Sequence, residues 1–237
     1  YHPQQGATMI TGGRLVVFGV DRYVRIYDVT SNTWSDAMGP VGIGRTQMPV
    51  FAAGDEVVAV GGYNATVGHL GSVSRFNVNT GVVEDGDNLP LEGLEGFATA
   101  MNTGEVLFGG GVDNVQGETT RVQAYDPATQ HVREMRSMPQ TQRLSTAHTL
   151  DDGRVLVVGG RNQGTALALG SLLFQPGTQT WTDVPMAQPR YYHASVKLLD
   201  GRVVALGGYR PGYGALADVE VFDPATASWT PGAGLLQ

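Results

Sequence analysis

Two stretches decide the architecture: Gly201-Arg202-Val203-Val204-Ala205-Leu206-Gly207-Gly208, and then Asp218-Val219-Glu220-Val221-Phe222-Asp223-Pro224-Ala225-Thr226, closing with Ser228-Trp229-Thr230. The first is a short β-branched run stopped by a glycine pair. The second alternates with period two, as a half-buried strand does, and then turns. In that turn Pro224 fixes φ and the Asp223 carboxylate can bond its own backbone. A further apolar-biased run, Tyr192 to Leu199, precedes both and ends at Asp200-Gly201. Four short strands joined by tight turns read as one antiparallel meander.

The same grammar fills the chain. An aromatic register runs through Tyr27, Phe76, Tyr125, Phe174 and Phe222, with spacings of 49, 49, 49 and 48 residues. Seven residues behind each stands a second register: Trp34, Val83, Val132, Trp181 and Trp229. Ahead of it lie Gly61-Gly62, Gly110-Gly111, Gly159-Gly160 and Gly207-Gly208, each doublet ending 14 residues before its aromatic. The first unit has Gly19-Val20 only seven residues before Tyr27, so its loop is shortened and a notch is expected there. Five units, approximately 1–44, 45–93, 94–142, 143–190 and 191–237, make one domain. No segment carries a helical period.

A four-stranded sheet cannot bury both faces by itself, whereas sheets stacked face to face around an axis can, leaving only short edges. The glycines suit close approach of neighbouring sheets or positive φ. Aromatics at fixed positions fill the wedges between sheets. The fold class expected is therefore all-β: a β-propeller of about five four-stranded antiparallel blades, closing on itself by face packing.

Composition removes several function classes. Charged residues are 16% of the chain and 34 residues are Gly, which suits turns rather than a helical bundle or an acidic or basic disordered tail. The net charge of −7, with no basic stripe, argues against nucleic acid as a partner. No apolar run reaches the ~18 residues of a membrane span, so no membrane insertion is expected. Without Cys there is no disulfide, thiolate metal site or cysteine nucleophile. Tyr1-His2-Pro3-Gln4-Gln5 does not read as a signal peptide, and an opening without Met suggests processing or excision.

Unit four, Gly153-Arg154-Val155-Leu156-Val157-Val158-Gly159-Gly160 followed by Phe174, Trp181, Met186 and Arg190, resembles the kelch repeat, and the likeness extends over the whole chain. Departures are Val20 in place of a second glycine, and Val83 and Val132 in place of Trp. The resemblance implies a propeller whose loops after the doublets, with those between blades, form one ligand-facing surface. The implied function is a non-catalytic scaffold for a protein, peptide or glycan, acting as a monomer without cofactor or metal. Kelch propellers commonly have more than five blades, which leaves a partial or engineered piece of a larger ring as an alternative. Low charge, scarce Lys and absent Cys are similar to bacterial exported kelch proteins and point to an extracellular or periplasmic setting.

Residues that do not recur in register are the ligand candidates: Tyr63 and Asn64, Asp113 and Asn114, Arg161, Asn162 and Gln163, and Tyr209, Arg210 and Tyr213. Tyr and Arg combine contact area with donors, on loops held by a rigid scaffold. Arg45, Arg143 and Arg190 share an inter-blade position, where guanidinium groups either grip a carboxylate or phosphate or satisfy crowded carbonyls. Arg190-Tyr191-Tyr192-His193-Ala194-Ser195 is similar to the copper-binding segment of galactose and glyoxal oxidases. That likeness implies a carbohydrate-active alternative, an oxidase or a kelch-type sugar mutarotase. The oxidase radical cofactor needs a Cys that this chain lacks, and His148 on the matching strand of unit four favours a hydrogen-bonded strand histidine. Asp85, Asp87, Glu92 and Glu95 form an acidic rim without Ca²⁺-loop spacing, and Asn64-Ala65-Thr66 is an isolated sequon.

Overall fold

The structure, a computed structural model, describes residues 6–10, 12–18, 23–36, 45, 48–53, 55–88, 95–113, 117–162 and 170–235. Each repeat folds as one four-stranded antiparallel sheet, and the five sheets form a five-bladed β-propeller. Blade one is Gly6–Ile10, Arg14–Phe18, Val24–Asp28 and Thr33–Asp36; blade two is Val50–Ala53, Glu56–Val60, Ser72–Asn77 and Val83–Asn88. Blade three is Phe97–Ala100, Val106–Gly109, Val122–Asp126 and His131–Met135. Blade four is Thr146–Thr149, Val155–Val158, Ser171–Gln175 and Thr180–Val184, and blade five is Ala194–Lys197, Val203–Leu206, Val219–Asp223 and Ser228–Pro231. No helix occurs among the described residues.

The two side-chain registers prove to be hairpin partners. Tyr27 stands opposite Trp34, Phe76 opposite Val83, Tyr125 opposite Val132, Phe174 opposite Trp181 and Phe222 opposite Trp229 across the third and fourth strands. Where both partners are aromatic the ring centroids are 5.1, 4.4 and 5.4 Å apart, in tilted contact that adds to area burial. The third-strand aromatic reaches across into the preceding blade. Phe174 packs with Leu107, Met135 and Met138, and Phe222 with Leu156, Val158 and Met186. Phe76 and Tyr125 do the same at the two earlier seams.

These four apolar seams hold the molecule together, and among the described residues none joins blade five to blade one. At that end Trp34 is 58% exposed, while Phe222 in its filled seam is fully buried. The second strand of blade four is buried throughout; that of blade five alternates buried Val203 and Ala205 with half-buried Val204 and Leu206. The covered face of blade five is the one turned to blade four. The shortened loop of unit one lies outside the described residues.

The doublets are fixed by two constraints at once. Gly159 has φ of 56°, and a Cβ there would stand 2.4 Å from the Arg190 carbonyl oxygen. The next residue uses that same oxygen: Gly160 N–H donates to Arg190 O at 2.7 Å, as Gly111 N–H donates to Gln142 O at 2.9 Å. The doublets of blades three and four thus bind the linker that enters the following blade.

Gly159→Ala should therefore cost about 3 kcal/mol or more, since left-handed strain and displacement of the linker add together. Gly212, with φ of 82° but no heavy atom within 4 Å of a would-be Cβ, sets the comparison. Gly212→Ala should cost only about 1 kcal/mol of strain, both read from urea unfolding midpoints.

Candidate functional site

The loops that follow the doublets all leave the second strand of their blade, so the topology gathers them at one end of the ring. Three of them form two-stranded ribbons: Tyr63–Asn64 with Gly68–His69, Val112–Asp113 with Gly117–Glu118, and Tyr209–Arg210 with Gly214–Ala215. Backbone bridges tie their bases to the linkers. Arg143 and Arg161 exchange both N–H···O bonds, at 3.1 and 2.8 Å, and Tyr191 and Tyr209 do so at 3.2 and 2.8 Å. Arg161 and Tyr209 are consequently held at the rim by main chain.

Side chains from blades four and five meet there in one ledge. The Arg161 guanidinium lies 5.6 Å over the Tyr191 ring, whose centroid is 5.5 Å from that of Tyr209 and 5.0 Å from that of Tyr192. Arg210 lies 4.2 Å over Tyr213 and also donates to Gln188 Oε1. Tyr213 is 71% exposed, Tyr192 57% and Tyr209 41%. Asn162 turns away from this group, donating to Thr141 O at 3.4 Å. Tyr63 is half-buried, and Asn64 Oδ1 accepts from the N–H groups of Thr66 and Val67 at 2.8 and 3.2 Å, an Asx turn on blade two. The Asp113 side chain, Asn114 and Gln163 lie outside the described residues.

The inter-blade arginines divide. Arg45 and Arg190 are 1% and 0% exposed, inside the seams. Arg45 donates to the carbonyls of Gly61 and Ser72 at 3.0 and 2.8 Å, and Arg190 to those of Gly207 and Asp218 at 3.0 and 2.8 Å. Arg190 also pairs with buried Glu220 at 2.7 Å. Their donors serve main-chain carbonyls together with the Ser72 and Ser74 hydroxyls for Arg45 and the Glu220 carboxylate for Arg190, which sets these two apart from the ligand-facing set. Arg143 is different: it is partly exposed and paired with Glu95 and Glu118, each at 3.2 Å. The seam position in blade four belongs instead to Gln142, fully buried, whose side-chain amide donates to Gly159 O. Counting back from the doublet finds it, since Gln142 and Arg190 both stand 17 residues ahead of the glycine they hold.

Below the ledge, a cavity of about 460 Å³ opens among the first strands of blades two to five and their linkers. His148 Nε2 lies 2.6 Å from Ser195 Oγ, Ser195 Oγ lies 2.5 Å from Thr146 Oγ1, and Thr146 Oγ1 lies 3.1 Å from His193 Nε2. Burial, with Lys197 near His148 and Arg190 and His148 near His193, pushes both imidazoles down from 6.5 to about 4. Sequence spacing pointed to the two histidines as hydrogen-bonded strand residues and missed Thr146 and Ser195. Their signal is the period-two pairs 146/148 and 193/195 on adjacent first strands. Glu95 of the acidic rim is bound to Arg143, and the side chains of Asp85, Asp87 and Glu92 lie outside the described residues. Among the described residues no three His, Cys, Asp or Glu side chains gather as a metal site requires, and no helix is long and apolar enough to cross a membrane.

Residues 189–236, blade five with the end of its linker, match the family model described as Kelch motif. No curated protein matches the chain.

Breaking the Arg190–Glu220 pair leaves a buried carboxylate uncompensated, so Arg190→Met should cost about 3–5 kcal/mol in urea unfolding. Arg143→Met removes the cation shared by Glu95 and Glu118, whose side chains are 12% and 6% exposed, and should cost about 3 kcal/mol. The two imidazoles also give the fold an acid limit. Between pH 6.5 and 4 the unfolded chain takes up protons that the folded chain refuses, so acid favours unfolding. Their stabilisation is complete above pH 6.5 and is lost as the pH falls to about 4, up to about 3 kcal/mol each. His148→Gln and His193→Gln should flatten that part of the stability profile, and imidazole NMR titration should give midpoints near 4.

Proposed function

The chain is a kelch-repeat β-propeller, and from that premise we propose that it is a non-catalytic scaffold binding a protein, peptide or glycan at the end of the ring where the post-doublet loops gather. The observation that carries this reading is the ledge of Arg161, Tyr192, Tyr209, Arg210 and Tyr213. Tyrosine and arginine dominate interface energies because they offer broad contact together with donors, and tyrosine loses little conformational freedom on binding. Backbone bridges from the linkers hold Arg161 and Tyr209 before any ligand arrives, which lowers the ordering cost of association. Support for a non-catalytic role comes from His148 and His193, whose low basicity makes them poor general bases near neutral pH.

A peptide and glycan array probed with the wild-type chain tests the proposal, with Arg161→Ala and Tyr209→Ala as paired variants. Binding partners of the wild type should lose about tenfold or more in affinity to each variant. Partners held equally well by all three proteins, or turnover of an arrayed sugar, would overturn the reading.

A further inference from the structure

Thr146 and His148 alternate along the first strand of blade four, and His193 and Ser195 alternate into that of blade five. Period two therefore turns both pairs toward the same stretch of channel wall. Their three contacts, at 3.1, 2.5 and 2.6 Å, form a continuous chain from His193 through Thr146 and Ser195 to His148. Three hydrogen bonds need three protons. The two hydroxyls supply two of them, so one imidazole donates from Nε2. His193 Nδ1 is buried without a partner, and a proton there would be a stranded donor. His193 accordingly carries its proton on Nε2, and the chain runs from it to His148 Nε2 as terminal acceptor.

In that arrangement each hydroxyl oxygen accepts one hydrogen bond, donates one and keeps a lone pair. Both residues line the cavity, and their hydroxyl oxygens, 2.5 Å apart, are neighbouring acceptors for a ligand with neighbouring O–H groups. The rest of the wall is largely apolar, with Val50 and Phe97 from blades two and three, and exposed Tyr192 at the mouth. Charge is nearly absent. Glu95 is the one acidic or basic lining residue apart from the histidines, and it is paired at 3.2 Å with Arg143, a guanidinium that it shares with Glu118. Lys197, close to His148, is paired with Asp151 at 2.8 Å. The volume of about 460 Å³ falls within the range of small-molecule sites. Adjacent acceptors, an apolar wall, an aromatic face and no free charge together describe a neutral sugar ring.

We propose that this channel cavity binds a neutral hexose unit, with Thr146 and Ser195 accepting from adjacent hydroxyls and Tyr192 lying against an apolar face of the ring. The inference rests on the scaffold reading and narrows its ligand to a glycan, one residue of which enters the channel while flanking units lie on the ledge.

The test titrates the whole chain with methyl β-D-glucopyranoside, methyl β-D-galactopyranoside and methyl α-D-mannopyranoside, with D-glucuronate as the charged control. Histidine side-chain NMR resonances report the site and calorimetry reports affinity. At least one methyl glycoside should shift the His148 and His193 signals saturably in the millimolar range, with D-glucuronate about tenfold weaker or more. Ser195→Ala and Tyr192→Ala should each weaken binding by about tenfold, while Tyr213→Ala changes it less than about twofold. Thr146→Val provides the same test should Ser195→Ala fail to fold. Absence of a saturable shift with all three glycosides, or equal binding of D-glucuronate, would overturn the channel site. So would loss of sugar binding in Tyr213→Ala with Ser195→Ala unaffected, an outcome that puts the sugar on the ledge and leaves the scaffold reading standing.

Discussion

Blade three is joined to blade four, and blade four to blade five, where a glycine N–H meets a carbonyl of the incoming linker. Gly111 reaches Gln142 and Gly160 reaches Arg190, and in both cases a Cβ on the preceding glycine would collide with that same carbonyl. The contact brings the linker close enough for its long polar side chain, Gln142 or Arg190, to reach the carbonyl that ends the next blade's second strand. Apolar packing then fills the seam outward from that point, with a linker methionine and the third-strand aromatic of the following blade. A meander that could not bury two faces alone is stabilised on both sides by repeating one joint.

The surface chemistry follows from the joint. Because the linker is clamped to the rim of the following blade, Arg161 and Tyr209 are fixed by main chain, and the exposed tyrosines stand on a rigid base. The same clamp sets the height at which first strands enter the channel, and so brings Thr146 and Ser195 to 2.5 Å from each other. Ledge and hydroxyl–imidazole chain both lie where blades four and five meet, and the cavity beside that chain extends to the first strands of blades two and three. The seam arginines belong to the frame: they are buried and each donates to two main-chain carbonyls, whereas Arg161 and Arg210 lie over tyrosine rings at the rim.

Much of this was legible in the residues. Tyr27 with Trp34 and Phe222 with Trp229 are seven apart because a hairpin turn separates cross-strand partners, so their recurrence gave strand pairing as well as blade number. The doublets were legible because at Gly110, Gly159, Gly160 and Gly208 a Cβ would stand within 3 Å of its neighbours. Arg143 was harder, since its spacing groups it with Arg45 and Arg190 while the seam role falls to the neighbouring Gln142; a one-residue offset in a linker leaves no mark in composition. The hydroxyl–imidazole chain was less legible again, because Thr146 and Ser195 are ordinary strand residues until the seam apposes them. Closure at five was expected from the count of units, yet among the described residues the apolar clusters fill four seams, and the outward side chains of blade five remain half-exposed.

Residue-resolved amide hydrogen exchange tests the joint most directly. The amides of Gly111 and Gly160 sit in loops by sequence, yet the account places them in the slowest class, with the central strands, at least about 10³-fold slower than the tip amides of Gly212 and Tyr213. Exchange of Gly111 and Gly160 at the rate of those tips would show that the linkers are not clamped to the doublets, and the stacking of blades would need another cause.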